Sequence, residues 1–388
     1  MALLMNNLLN YKVFQLIIRV IIPSKKFIYL FVGLWGILSF IFSTSSFADR
    51  ARAICLTGRI VESIGSYGQS FHHAAEMALE ENKSLQYKIQ LKYYFYDHKP
   101  LQPIYAYHKM LDDGCSAIIG FEYLSDLLLV IKEQTTKNIP IFTSYASFLS
   151  NDKVPNNVFV FMPTYDDHAA KMINFLEEKF TTLKDFLLIT EINREEMLRY
   201  KKAYSKEFFE RNIQFDSYDF LTNDPLLLEK LKNHIKKKKY SYIVLLFGAT
   251  TSAKIVNFLK KLDAVYIGTE NFGSTVSPSF YTRLNNKKIT AYFIRNLDYM
   301  KSGEELSSYK EKYVTRFKSL PTVMSAYTYD AVNIILKTFM QTGVIDTDNV
   351  YKINHRGITG AYIKNHKFFR SKNYIFLSVS DTGYHFEK

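Results

Sequence analysis

The 388-residue chain lacks the short motifs that announce catalysis. No Gly-x-x-x-x-Gly-Lys-Ser/Thr loop occurs, no Gly-x-Gly-x-x-Gly follows a strand, and no Gly-x-Ser-x-Gly elbow is present. Those absences exclude phosphate-loop, dinucleotide-fingerprint and serine-hydrolase chemistry. There is no His-Glu-x-x-His and no paired-cysteine spacing, so neither a zincin nor a zinc-finger reading stands. His72-His73 is the one histidine cluster, and its i, i+1 spacing sends the two rings to different faces of a helix. With no nucleophile–base pair to read, neither enzyme activity nor a cofactor or metal is expected.

Cysteine is scarce too, with only Cys55 and Cys115. Both open strands that a doubly wound sheet would set side by side. An exported chain would leave them either joined or free, because parallel strands often hold two cysteines outside disulfide geometry. Acidic residues are missing from residues 1–48, which carry Lys12, Arg19, Lys25 and Lys26. An uncharged apolar run, Phe27 to Phe42, then leads to Ser46-Phe47-Ala48. That order is the order of a secretory signal peptide, and the run is shorter than the ~20 residues of a membrane span. The expectation is a periplasmic protein cleaved after Ala48, with an uncleaved inner-membrane anchor as the competing reading. Removing those four cations from the formal charge of +13 leaves +9. The Lys236–Lys239 run falls at the end of a predicted helix, where it complements the dipole. No aromatic-and-basic strand pattern accompanies it, so nucleic acid is not an expected partner.

What the sequence does contain is alternation. At 47% hydrophobic and 22% charged it has apolar material for two cores. From Ala53 onward, short apolar runs alternate with helical patterns. The stretch Asp113–Ser147 shows the unit in miniature. Ala117-Ile118-Ile119 reads as a strand ending at Gly120, Ser125 as the cap of a helix, and Ile141-Phe142 as a second strand running into Thr143, Ser144 and Ser147. So short a crossover forces parallel neighbours. A second series begins at Phe186–Thr190 and continues through Phe215–Phe220, Tyr242–Phe247 and Val265–Gly268, with helices between. Val158–Phe161 reads as a strand leaving the first sheet, and Tyr374–Val379 as the last strand. Two such series predict an α/β chain of two lobes, each a mostly parallel sheet with helices on both faces and a cleft between the lobes.

Hydroxyl, aromatic and carboxylate groups recur where these strands end. Tyr67 follows the first strand, Ser125, Ser144 and Ser147 belong to the short crossover, Thr250 follows Phe247-Gly248, and Glu270 follows Ile267-Gly268. Hydroxyls and backbone N–H groups suit a carboxylate, one carboxylate suits an ammonium, and Tyr67 or Tyr145 can cover apolar atoms.

Several fragments together resemble the type I periplasmic substrate-binding proteins, especially the branched-chain amino-acid receptors of ABC importers. They are Ser66-Tyr67-Gly68-Gln69, Tyr96-Asp97, Asp113-Gly114 with Ile118-Ile119-Gly120, and Pro140 through Ser147. Ile267 through Glu270, Ala326 through Ala331 and Gly357-Ile358-Thr359-Gly360 complete the set. The resemblance implies the type I two-lobed fold, divided as signal peptide 1–48, first lobe 52–163 plus 293–356, and second lobe 164–292 plus 357–388. It also implies an amino-acid-like ligand trapped by hinge closure and an ABC permease as partner. Tyr67 would line the cleft, Tyr145, Ala146 and Ser147 would meet the ligand's carboxylate, and Glu270 would meet its ammonium. Thr250 stands where the family often has an aromatic contact. Leu124, ahead of Ser125, stands where a ligand hydroxyl is expected, and Glu122 nearby would repel an anion if it points inward. The alternative function is an envelope sensor or protein-interaction module with a degenerate cleft.

Overall fold

A computed structural model describes residues 52–388, apart from 60–65, 98, 135–137, 222–225, 237, 260–261, 274–279, 286–287, 298–302, 373, 381 and 388. The side chains of 66–68, 227 and 271 are also outside the description. The expected signal peptide, residues 1–48, therefore lies outside the described residues.

Five strands form the first sheet: β1 (Arg52–Arg59), β2 (Ile89–Tyr96), β3 (Cys115–Ile119), β4 (Ile141–Thr143) and β5 (Val158–Val160). They lie in the order β2-β1-β3-β4-β5 and every pairing is parallel. The sequence reading had β5 leave this sheet; instead it forms the sheet's edge, Phe142 opposite Phe159. Helices α1 (Ser66–Glu81), α2 (Gln102–Asp112) and α3 (Leu124–Glu133) make the crossovers. Gly120 ends β3 with φ +147°, and a Cβ there would lie 2.1 Å from the Thr57 carbonyl oxygen, so the position needs glycine.

The chain then crosses to a second sheet through α4 (Tyr165–Lys179). Thr164 caps α4 in a reciprocal box with Asp167. Strands β6 (Phe186–Glu191), β7 (Phe215–Phe220), β8 (Tyr242–Leu246), β9 (Val265–Gly268) and β10 (Thr290–Arg295) follow. Helices α5 (Glu195–Glu210), α6 (Leu227–Ile235) and α7 (Ala249–Leu259) connect the first four of them. Every residue of β6 and β8 is buried, as expected of parallel strands covered on both faces.

Next come α8 (Glu304–Phe317), α9 (Val323–Thr342) and α10 (Thr347–Lys352). Tyr327, Val332, Ile335 and Leu336 of α9 share an apolar cluster with Ile54, Leu56, Ala117 and Phe142 of the first sheet. A small antiparallel sheet follows, β11 (His355–Arg356), β12 (Tyr362–Lys364) and β13 (Lys367–Phe369). Ala361 and Ile363 belong to the first sheet's cluster, and Ser371 N–H donates to Phe161 O at 3.2 Å. Residues 357–371 therefore pack with the first lobe, where the sequence division had assigned them to the second. The chain ends with β14 (Ile375–Ser380) and β15 (Gly383–Phe386), which extend the second sheet antiparallel to give β15-β14-β10-β9-β8-β6-β7. Tyr374–Val379 is thus not the last strand; a hairpin partner follows it.

Cys55 and Cys115 are joined, with their Cα atoms 5.9 Å apart. Cys115 pairs opposite Ala53, and a register shift between Ala53 and Ile54 sets Cys55 diagonally across from it.

Candidate functional site

Both parallel sheets wind in the same order around their first strand, so each has one place where the chain departs in opposite directions. In the first sheet it lies between β1 and β3, and in the second between β6 and β8. Loops diverge at such points and leave a crevice beyond the strands' carboxyl ends. Here the two crevices meet. The backbone N–H of Leu124, at the start of α3, donates to Glu196 Oε1 at 3.2 Å, and Glu196 lies in the first turn of α5 after β6.

On the first-lobe side, the residues after β4 satisfy one another. Thr143 Oγ1 donates to the Phe121 carbonyl at 3.4 Å and accepts from Ala146 N–H at 3.2 Å. Ser147 Oγ donates to the Pro163 carbonyl. Ser125 does not cap α3; the cap position is Tyr123. The Ser125 hydroxyl faces Arg59 Nη2 and Asp126 Oδ1, each at 3.3 Å. Arg59 forks onto Asp126, Tyr96 donates to the same carboxylate at 2.8 Å, and the guanidinium lies 4.2 Å from the Tyr123 ring centre. Glu122 is buried against Gly58, with Oε1 unpartnered among the described residues. Burial pushes its carboxyl up to about 8, against its backbone hydrogen bond and the Arg59 charge.

From the second lobe, Glu270 opens a short turn after β9, shaped by Phe272 packing back onto Gly268, where no Cβ fits. It accepts from Asn296 Nδ2 at 2.9 Å and from the Tyr145 hydroxyl of the first lobe. Burial pushes its carboxyl up to about 7; the Tyr145 hydrogen bond, the Arg295 charge and the Asn296 hydrogen bond work against that rise.

Tyr145, Ser147, Glu270 and Asn296 line a small cavity with Tyr165, His168, Arg194, Glu196 and Tyr200. Its volume is about 20 Å³, enough for a single water, against roughly 300–1,000 Å³ for pockets that hold small organic molecules. The lobes are thus closed on their own side chains. Buried His168 is pushed down to about 3, so it stays neutral, and it packs its edge on Tyr200.

Of the residues expected at the site, Tyr145, Ser147 and Glu270 come together on this cavity. Leu124 reaches it through its backbone bond to Glu196, and Ala146 is buried beside it. Ser125 is committed to Arg59 and Asp126, and Thr250 is exposed and not part of the lining. The Tyr67 side chain is outside the description. Arg194, Glu196, Tyr165, Tyr200 and Asn296 escaped the sequence reading. Glu195-Glu196 reads only as an acidic first turn, and Asn296 follows a strand with no motif around it. Among the described residues no group of His, Cys, Asp or Glu is placed to hold a metal.

The sequence pattern of a family described as periplasmic binding protein matches residues 60–358. No curated protein sequence matches the chain. Among solved structures, the leucine-binding protein LivK of Thermotoga maritima is similar over 87% of this chain and 98% of its own, at 15% identity and TM-score 0.71. LivJ of Streptococcus pneumoniae, in complex with isoleucine, gives 87% and 100%, 16% identity and TM-score 0.67. A solute-binding protein of Rhodopseudomonas palustris BisB5, in complex with 3,4-dihydroxybenzoic acid, gives 87% and 95%, 11% identity and TM-score 0.67.

Proposed function

This chain belongs to the periplasmic binding protein family, and from that premise we propose that it is an exported receptor closing two lobes on a small amine-bearing, amino-acid-like solute for an ABC permease. The observation that carries the reading is Glu270. It sits at a strand end in the interlobe cavity, bonded across the cleft to Tyr145. An ammonium placed there would meet a carboxylate already desolvated and aimed. Export is supported by the Cys55–Cys115 bond, since disulfides persist in oxidising compartments. No described helix is long and apolar enough to cross a membrane. The reading is of a receptor, with no reaction assigned.

A second reading, an envelope sensor or protein-interaction module with a degenerate cleft, is favoured by the cavity's volume of about 20 Å³. Native mass spectrometry of the protein purified from cell envelopes separates the two. The receptor reading expects one small amine-bearing molecule per chain and an N-terminus at Asp49. Protein that carries nothing, and that no solute stabilises, would leave the sensor reading in its place.

A further inference from the structure

His168 lines the interlobe cavity, yet the protein makes no use of its ring nitrogens. The residue stands one turn into α4, with its backbone N–H on the Thr164 carbonyl at 3.0 Å. It is only 3% exposed, and neither ring nitrogen has a partner among the described residues. The rings of Tyr200 and Tyr204 stand edge-on to it, 4.9 and 6.4 Å between centres, but neither hydroxyl bonds to its nitrogens. Burial pushes the imidazole down to about 3, so the buried ring is neutral, with one donor and one acceptor. Leaving both unmet is costly. Other buried hydroxyls are unpartnered too, Ser144, Thr190 and Thr269 among them, but these do not line the cavity.

The rest of the lining is a second, independent observation. Of its thirteen residues only Met162, Pro163 and Met197 lack a polar side-chain group. A leucine-like side chain closed in here would cover polar atoms with hydrocarbon, whereas pockets for such groups are mostly apolar. Asn296 gives its Nδ2 to Glu270 at 2.9 Å and keeps Oδ1 unpartnered in the same lining. That oxygen, beside the carboxylate, can take a second N–H of an ammonium. The amine end of a solute therefore does not need His168.

Resting on the receptor reading above, we propose that His168 determines specificity: the solute carries, besides its ammonium, a hydroxyl or primary amide that His168 meets inside the closed cleft. The reason lies in the tautomer. No hydrogen bond fixes which nitrogen of His168 holds the proton, so the nitrogen turned to the solute can be donor or acceptor. A hydroxyl or a primary amide answers either form, because each both donates and accepts. A methyl group answers neither. A second carboxylate answers only the donor, and it would enter beside Glu196 and Glu270, which line the same cavity.

Calorimetry on the mature, disulfide-intact protein tests this with amino acids paired by shape. Threonine carries a hydroxyl where valine has a methyl, and asparagine a primary amide where leucine has an isopropyl group. In at least one pair the polar member is expected to bind about tenfold more tightly, or better, than its apolar twin. His168→Phe keeps a ring and removes both nitrogens, and should bring that pair within about threefold of each other. His168→Gln restores a donor and an acceptor and should keep part of the preference, which a purely structural role would not produce. Should His168→Phe fail to fold, the wild-type comparison and His168→Gln still decide. The inference is overturned if neither pair shows the preference, or if the preference survives unchanged in His168→Phe. If none of the four binds, the molecule carried from the cell envelope decides. One with a hydroxyl or primary amide upholds the inference, and one with neither overturns it and leaves the receptor standing. Protein that carries nothing and binds none of the four sinks both.

Discussion

Asp330 and Glu270 are both pushed by burial to ionise at about 7, yet their surroundings differ in kind. Asp330, in α9, accepts from Ile358 N–H at 2.9 Å, Thr359 N–H at 3.0 Å and the Thr359 hydroxyl. A Cβ at Gly357 would sit 2.1 Å from its carboxylate, so the Gly357-Ile358-Thr359-Gly360 loop is folded onto it. Glu270 has Asn296 and Tyr145, one from each side of a cleft. A displaced ionisation by itself does not mark a binding residue. What separates the two is that the donors to Asp330 come from one folded loop, while those to Glu270 come from two sheets that face each other across a cleft.

The sharpest break of that comparison is Glu270→Gln. Removing the charged partner of a desolvated ammonium typically costs ~2–5 kcal/mol, so amine binding should fall by roughly 30- to several-thousand-fold. Folding stability should barely change. Calorimetry that finds equal binding in variant and wild type would make Glu270 another structural carboxyl. Asp330→Ala should do the reverse. Leaving three donors unsatisfied is expected to cost about 2–4 kcal/mol of stability in urea unfolding, while amine affinity of the folded fraction stays the same.

The pH dependence is smaller and has a definite sign. The carboxyl of Glu270 is raised from 4.5 to about 7, so the unliganded fold holds a proton there that the unfolded chain gives up. Its contribution to stability is therefore full below 4.5 and is lost as pH rises through 7. Amine binding runs the other way, because it needs the carboxylate. Affinity should rise as pH climbs to about 7 and level off above, losing up to about tenfold per unit below. A flat titration between pH 5.5 and 8 would count against Glu270 as counter-ion. The smallest effect belongs to Ser147→Ala, about 0.5–1.5 kcal/mol of stability with unchanged affinity, since its hydroxyl serves Pro163.

The sheets were legible because β8 is an unbroken apolar run and β6 opens on one, Phe186 to Ile189, each followed by a helical pattern. The β12–β13 hairpin was not. Its strands are three residues each, and its turn rests on Asn365 and His366, both at positive φ, with no glycine to announce it. At the cleft, Glu270 was legible because it follows a strand that ends in glycine. Glu196 was not, since its partner is a backbone N–H in the other lobe and no local pattern encodes a contact 72 residues away.

The Cys55–Cys115 bond spans 60 residues that include α1, β2 and α2. A protease that cuts once anywhere inside that span releases nothing, because both pieces stay tethered through the sulfurs. Proteolytic wear on this segment would therefore be invisible on a non-reducing gel, where the nicked and intact chains run together, and would appear as two bands only after reduction. A chain nicked within this tether would keep its first sheet stapled across β1 and β3, the two strands that flank the crevice.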